Sequence, residues 1–131
     1  MIGLDTNVLV RYVMQDDPRQ SPRANRLIES LSADRPGFVP LVALVELVWV
    51  LSGSYGLARA QVAAVLGTLL RSKELVLDRA DVVAQALKRF SEDNADLADA
   101  LIERLAAAAG CPATLTFDAG AVRAARMTLV P

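Results

Sequence analysis

Histidine is absent from this sequence of 131 residues, and cysteine occurs once, at Cys111. Without histidine, the chain lacks the side chain that most often transfers protons at neutral pH and a common ligand of zinc. A single cysteine can form no disulfide within the chain, which is typical of a reducing compartment such as the cytoplasm. Any catalysis must therefore use carboxylates, hydroxyls or amines.

Long apolar runs are also missing. The charge-free stretches on either side of Glu46 are well short of the roughly 18 apolar residues that a membrane span requires. No basic and apolar leader precedes Asp5, so the N-terminus does not resemble a secretory signal. We therefore expect a soluble, cytoplasmic protein.

The chain has no excess of basic charge, since its net charge is −1. This argues against a module that holds nucleic acid by overall positive charge alone. Lys73 and Lys88 are the only lysines, and the other basic residues are arginines. Arginine can bind phosphate in bidentate fashion, but it is equally an ordinary surface residue.

Length and a hydrophobic content of 53% are sufficient for a single domain over residues 1–131. Short apolar runs predict strands at residues 1–4, 38–41, 75–77 and 114–117, with a last one near the C-terminus. Helices are predicted after Asp5 and Asp118 and at about 22–32, 42–52, 58–71, 81–90 and 94–110. This alternation predicts an α/β fold, a three-layer α/β/α domain around a central parallel sheet.

Asp5 and Asp118 each follow an apolar strand directly. Ligands bind beyond the carboxyl ends of parallel strands, so both side chains would lie at one edge if the first and fourth strands were neighbours. Each aspartate could instead simply cap the helix that follows it. Two aspartates at equivalent positions favour a functional role.

Glu46 is the only charged residue in the apolar segment VALVELVWVLS, which predicts a buried helix. A buried carboxylate is costly unless a cation lies beside it. That cation could be an arginine such as Arg11 or Arg26 in a structural ion pair, or a bound metal ion.

Three more acids, Asp96, Asp99 and Glu103, share one face of the alanine-rich helix that we expect to begin at Asp93 or Asn94. The opposite, buried side is predicted to consist of Leu97, Leu101, Ile102 and Leu105. A solvated face is the ordinary explanation for Asp96 and Glu103. Asp99 lies about 60° from Ile102 at the border of the apolar stripe, so it should be half buried at a cleft.

Carboxylates without histidine or cysteine indicate a hard divalent cation, Mg²⁺ or Mn²⁺. The four acids that we assign to the metal site are Asp5, Glu46, Asp99 and Asp118. Such clusters assist the attack of water on phosphate, because the metal lowers the pKa of water and neutralises charge on the phosphoryl oxygens.

Four segments that carry these acids resemble the motifs of one known family. They are LDTNVLVRYVMQDDP with Asp5, PLVALVELVWVL with Glu46, NADLADALIERLAAAAG with Asp99 and TLTFDAGA with Asp118. In this order they resemble PIN-domain nucleases, and in particular the VapC-like toxins of bacterial toxin–antitoxin modules. Each motif is weak alone, but four in this order are specific.

The resemblance implies Mg²⁺-dependent endonucleolytic cleavage of RNA by activated water, which leaves a 5′ phosphate and a 3′ hydroxyl. It implies that Thr6, Asn7 and Thr116 support the site through hydrogen bonds and that Asp96 is an accessory acid. Glu103 departs from the small residue expected there, so it either adds a ligand or is solvated. The resemblance further implies a homodimer and a small VapB-like antitoxin that blocks the site.

Two other function classes are compatible with parts of the sequence, namely phosphoryl transfer through an aspartyl intermediate and binding without catalysis. LDTN superficially resembles the nucleophile loop of aspartate-based phosphatases, but Asn7 stands where that loop has its second aspartate. A receiver domain would need a lysine after a late strand, and neither lysine is so placed. The non-enzymatic alternative is a PIN-like domain that only binds RNA or a protein, against which the presence of all four acids argues.

Overall fold

Strands and helices alternate from β1 at Ile2–Gly3 to β5 at Thr128–Leu129 in the computed structural model, which describes residues 1–131. The other strands are β2 (Gly37–Val39), β3 (Leu75–Leu77) and β4 (Leu115–Thr116). The seven helices are α1 (Thr6–Met14), α2 (Gln20–Glu29), α3 (Leu41–Trp49), α4 (Arg59–Arg71), α5 (Ala80–Glu92), α6 (Leu97–Ala108) and α7 (Ala119–Ala124). A π-helical turn at Val50–Ser54 follows α3. The chain divides into two compact units, residues 1–80 and 81–131.

The first unit is built on a parallel sheet of three strands in the order β1-β2-β3. In its register Ile2 pairs with Gly37, and Gly37 pairs with Leu75 on the other side. Gly37 is buried between the two strands, where an added Cβ would lie 2.7 Å from Cδ1 of Leu4 and 2.9 Å from Cδ1 of Leu31. A larger residue at position 37 would therefore require the side chains of Leu4 and Leu31 to move.

Helix α1 packs against α2 and α3 on this sheet. The sequence forms these contacts because apolar residues recur at helical spacing, so that each helix buries one stripe. The largest fully buried side chains of the unit are Leu9, Val39, Leu44, Leu47, Leu51, Val62 and Leu66.

The second unit contains a parallel pair, β4 and β5, in which Leu115 pairs with Thr128. Its core is formed by apolar side chains of α5, α6 and α7, among them Val82, Val83, Ala86, Phe90, Leu97, Leu101 and Ala121. Two charged residues are buried with them, Arg89 at 8% exposure and Glu103 at 9%.

The predicted α/β class with parallel strands is confirmed, and the mixture of helices and parallel strands is consistent with the predicted three-layer α/β/α fold. The strands lie in two sheets, so β1 and β4 are not hydrogen-bonded neighbours. The single domain over residues 1–131 stays a prediction. No helix in the structure has both the length and the apolar character required to cross a membrane.

Two helix starts differ from the sequence prediction because aspartates at positions other than the predicted starts provide the caps. Helix α2 begins before Pro22, since Oδ1 of Asp17 accepts the backbone N–H groups of Arg19 and Gln20 at 2.9 and 2.7 Å. Helix α6 begins after Asp96 rather than at Asp93 or Asn94.

Candidate active site

Asp5 and Glu46 line one cleft of about 280 Å³ in the first unit. Asp5 stands between β1 and α1, and its carboxylate accepts no hydrogen bond from the start of that helix. The adjacent Thr6 is buried and its hydroxyl donates to the carbonyl oxygen of Ala43 in α3 at 3.5 Å. This contact ties the start of α1 to the helix that carries Glu46, so the two acids share a cleft.

Glu46 is exposed, and the prediction that its helix is buried on all sides was wrong. Helix α3 buries one face, formed by Ala43, Leu44, Leu47 and Val48. Its other face is open to solvent, with Val42 80% and Trp49 63% exposed. Because water solvates the carboxylate, Glu46 needs no neighbouring cation, and the predicted cost of burying its charge is absent.

Arg11 does not serve as the counter-ion of Glu46. Its guanidinium lies 3.6 Å from a carboxylate oxygen of Asp16 and 3.9 Å from one of Asp17. The hydroxyl of Tyr55 donates to Asp16 at 2.8 Å and accepts from Arg11 at 3.3 Å. Arg11 therefore holds the connection between α1 and α2, and Arg26 likewise forms no ion pair with Glu46.

Asp78 is a further acid that the sequence analysis did not single out. It follows β3 directly, so it lies at the same carboxyl edge of the parallel sheet as Asp5 after β1. Its Oδ2 accepts the backbone N–H of Leu41 at 3.3 Å and thereby caps α3. The position after an apolar strand, which selected Asp5 and Asp118, could have identified it.

Asp96, Asp99 and Asp118 come together in the second unit. The pKa of Asp99 is raised, first by partial burial and then by the negative charges of Asp96 and Asp118. The prediction that Asp99 is half buried is confirmed. Asp96 is more than a solvated acid, since its Oδ2 accepts the backbone N–H of Asp99 at 3.1 Å and caps α6.

Asp118 caps α7, as the ordinary interpretation of its position predicts. Its Oδ1 accepts the backbone N–H of Gly120 at 2.8 Å. The backbone N–H of Asp118 donates in turn to the hydroxyl of Thr116 at 3.0 Å. Thr116 therefore fixes the backbone at Asp118, while the carboxylate stays exposed and can serve a second role.

Glu103 is neither solvated nor available as a ligand. Its carboxylate accepts hydrogen bonds from Arg89 at 2.7 Å and from Arg104 at 2.7 and 2.8 Å. Two arginines neutralise the charge, which is why the side chain can be buried. Ile102, predicted on the buried side, is 53% exposed, because Glu103 occupies the core-facing position beside it.

Asn7 lies on the exposed side of α1 and lines a second, larger cleft of about 410 Å³ in the first unit. This cleft lies between α1 and α2 and also contains Arg11, Gln20 and Arg23. The side chain of Asn7 makes no hydrogen bond in the structure, so its predicted support of the acids stays a prediction.

The donor chemistry fits a hard divalent cation. The structure contains no group of three Asp, Glu or Cys side chains arranged to hold a metal ion. Each unit does provide carboxylates without a basic partner, namely Asp5 with Glu46 in one and Asp99 with Asp96 and Asp118 in the other. Oxygen ligands of this kind suit Mg²⁺ or Mn²⁺, and a cation would relieve the repulsion that raises the pKa of Asp99.

Comparison with known proteins gives one family. Residues 2–127 match the family model of the PIN domain. No curated protein matches the chain. The matched range includes every acid described above.

Proposed function

We propose that this chain, which belongs to the PIN-domain family over residues 2–127, is a metal-dependent endoribonuclease that hydrolyses RNA phosphodiester bonds with activated water. PIN domains are generally nucleases that bind nucleic acid and use divalent metals. The observation that carries the proposal is the environment of Asp99, a half-buried carboxylate whose pKa is raised by burial and by the negative charges of Asp96 and Asp118. Acids held together without a basic partner are typical of catalytic sites. Their mutual repulsion destabilises the free protein, so such a cluster does not serve stability.

Asp5, Glu46, Asp99 and Asp118 are the proposed ligands of Mg²⁺, with Mn²⁺ as an alternative. When bound, the metal would lower the pKa of water and neutralise charge on the phosphate. The cleft that holds Asp5 and Glu46 is open, so a phosphate can reach both acids. A carboxylate that does not bind the metal would orient the attacking water. The cleaved RNA would carry a 5′ phosphate and a 3′ hydroxyl.

Several residues of the chain would fix these acids in place. Asp96 holds the first turn of α6 through the backbone N–H of Asp99. Thr116 holds the backbone of Asp118, and Thr6 ties the start of α1 to α3. We assign these residues positioning roles, since each acts on the backbone beside an acid rather than on the substrate.

The biological role that we propose is that of a cytoplasmic toxin restrained by a small VapB-like antitoxin, with the toxin forming a homodimer. The resemblance of the four acidic motifs to VapC-like toxins supports it. Expression of the chain alone should arrest growth, and co-expression of the product of the adjacent gene should restore it. Growth unaffected by the chain alone would contradict the toxin role without touching the nuclease activity.

An RNA cleavage assay tests the nuclease proposal. Purified protein is incubated with a labelled RNA in Mg²⁺, in Mn²⁺ and in EDTA, and the new ends are identified by their reactivity toward phosphatase and ligase. Asp99→Asn and Asp5→Asn should abolish cleavage, whereas Asp34→Asn, a matched change at an exposed loop acid, should not. RNA binding without cleavage in either metal would favour the non-catalytic alternative. Release of terminal phosphate from an intact strand would favour the aspartate-based phosphatase.

A further inference from the structure

Helix α2 and the residue that precedes it, Arg19, carry three arginines on the solvent side. Arg19, Arg23 and Arg26 are all exposed, and no acidic residue occurs between positions 19 and 28. At about 100° per residue they fall within a stripe about 60° wide. The buried residues of α2, which are Ser21, Ala24 and Ile28, lie on the opposite side. We call these three residues the arginine stripe.

The guanidinium groups of the arginine stripe make no ion pair and no hydrogen bond. Other arginines of the chain are engaged, for example Arg11 with Asp16 and Arg89 with Glu103. On a chain of net charge −1, three unpaired cations within eight residues form a local basic surface. No carboxylate forms an ion pair with these three side chains, so their charge is available to an anionic partner.

The arginine stripe borders the cleft of about 410 Å³ between α1 and α2 through Arg23. Arg11 also lines this cleft, but its Nε donates to Oε1 of Gln20 at 2.7 Å and it is paired with Asp16. Arg23 and the amide of Asn7 are therefore the polar groups of the cleft that have no partner. Asn7 lies two residues after Asp5, so the cleft begins beside the candidate active site of the same unit.

We propose that the arginine stripe and this cleft bind the phosphate backbone of the RNA strand as it leaves Asp5. The proposal rests on the proposed ribonuclease function and adds the surface that holds the substrate. Arg19 and Arg26 are about 10 Å apart along the helix axis, which corresponds to about three phosphates of a stacked strand. Arginine suits this task, since its planar fork binds phosphate oxygens in pairs.

A binding titration in EDTA separates this surface from the chemistry. The probe is a short fluorescein-labelled single-stranded RNA, and fluorescence anisotropy gives Kd over a series of salt concentrations. The test variant is Arg19→Gln/Arg23→Gln/Arg26→Gln, which keeps helix propensity. The control is Arg35→Gln/Lys73→Gln/Arg123→Gln, which removes the same charge from exposed positions elsewhere. Thermal unfolding verifies that both variants fold.

For the stripe variant we expect a weaker salt dependence, with the negative slope of log K for association against log salt becoming shallower by about 2. Kd at ~0.1 M salt should rise roughly 100-fold. The control should stay near the parent, and KM for RNA cleavage should rise far more than kcat changes. A stripe variant with the parent's Kd and salt slope overturns the proposal. The proposal is also overturned if the stripe variant keeps its RNA affinity but loses binding to polyglutamate. That result would identify an acidic protein segment as the occupant.

The two proposals fail in different ways. If the parent cleaves RNA and the stripe variant binds it unchanged, the ribonuclease stands and this surface is wrong. If the parent binds RNA through the arginine stripe but never cleaves it with added metal, the surface stands and the nuclease proposal is wrong.

Discussion

The guanidinium of Arg89 in α5 donates a hydrogen bond of 2.7 Å to Oε2 of Glu103 in α6, and both residues are buried. The pKa of Glu103 is lowered, chiefly by the hydrogen bonds from Arg104 and with a further contribution from Arg89, against an opposing effect of burial. Arg89 also donates to the carbonyl oxygen of Ala125 after α7 at 3.4 Å. Arg89 and Glu103 therefore link α5 to α6, and Arg89 also ties both to the end of α7.

Replacing Glu103 with glutamine should destabilise the protein by about 3 kcal/mol, because it leaves the buried guanidinium of Arg89 without a counter-ion. The measurement is urea denaturation followed by circular dichroism. The control is Arg126→Gln, which removes an ion pair to Asp93 that is largely exposed and should cost less than about 1 kcal/mol. Equal losses for the two variants would contradict a structural role for Glu103.

The lowered pKa of Glu103 also predicts a pH dependence of stability. A carboxylate with a lower pKa in the folded state stabilises the protein above its unfolded pKa, ordinarily 4.5, and loses that contribution as the pH falls through the folded pKa. The unfolding free energy of the parent should therefore fall more steeply below about pH 5 than that of Glu103→Gln. Parallel pH profiles for parent and variant would contradict the assignment.

The order of strands and helices could be predicted from the sequence because apolar runs and helical periodicity depend only on neighbouring residues. Residues 75–77 form β3 as predicted, and Asp5 and Asp118 come after β1 and β4, each separated from its strand by one residue rather than following it directly. These local patterns do not predict which face of a helix packs against the core. Helix α3 is apolar all round, yet it buries one face and leaves Glu46 in solvent.

The same limit explains the error at Glu103. Periodicity placed this acid on a solvated face, since a charged residue is ordinarily excluded from a core. Its burial depends on Arg89, which lies 14 residues earlier and belongs to another helix. Long-range pairing of this kind leaves no local pattern, whereas the half-burial of Asp99 could be derived from its place at the edge of an apolar stripe.

The metal requirement gives a direct prediction. With oxygen ligands alone, cleavage should stop in EDTA and return with Mg²⁺ or Mn²⁺. Metal binding to the folded state should also raise the unfolding temperature, and this gain should disappear in Asp99→Asn. RNA cleavage undiminished by the chelator would exclude the proposed site.

The exposed apolar face of α3 predicts an assembly. Val42 and Trp49 lie on it at 80% and 63% exposure, and a surface of this kind favours a contact with a second copy or an antitoxin. Trp49 is the only tryptophan, so its emission should shift to the blue as concentration rises or the antitoxin is added. Val42→Lys should abolish the shift and Ile102→Lys should not. A monomer at micromolar concentration, with or without the product of the adjacent gene, would contradict the prediction.

The repulsion at Asp99 separates a catalytic acid from a structural one, since function and stability should move in opposite directions. Asp99→Asn removes a negative charge that the carboxylates of Asp96 and Asp118 repel. In EDTA the variant should therefore be as stable as the parent or about 1 kcal/mol more stable, while RNA cleavage is lost. Asp118→Asn should keep its stability, because asparagine also caps a helix, whereas Asp118→Ala should cost about 1 kcal/mol through loss of the bond to Gly120. Urea denaturation in EDTA, beside RNA cleavage in Mg²⁺, measures both properties. An Asp99→Asn protein that is less stable and still cuts RNA would place the active site elsewhere.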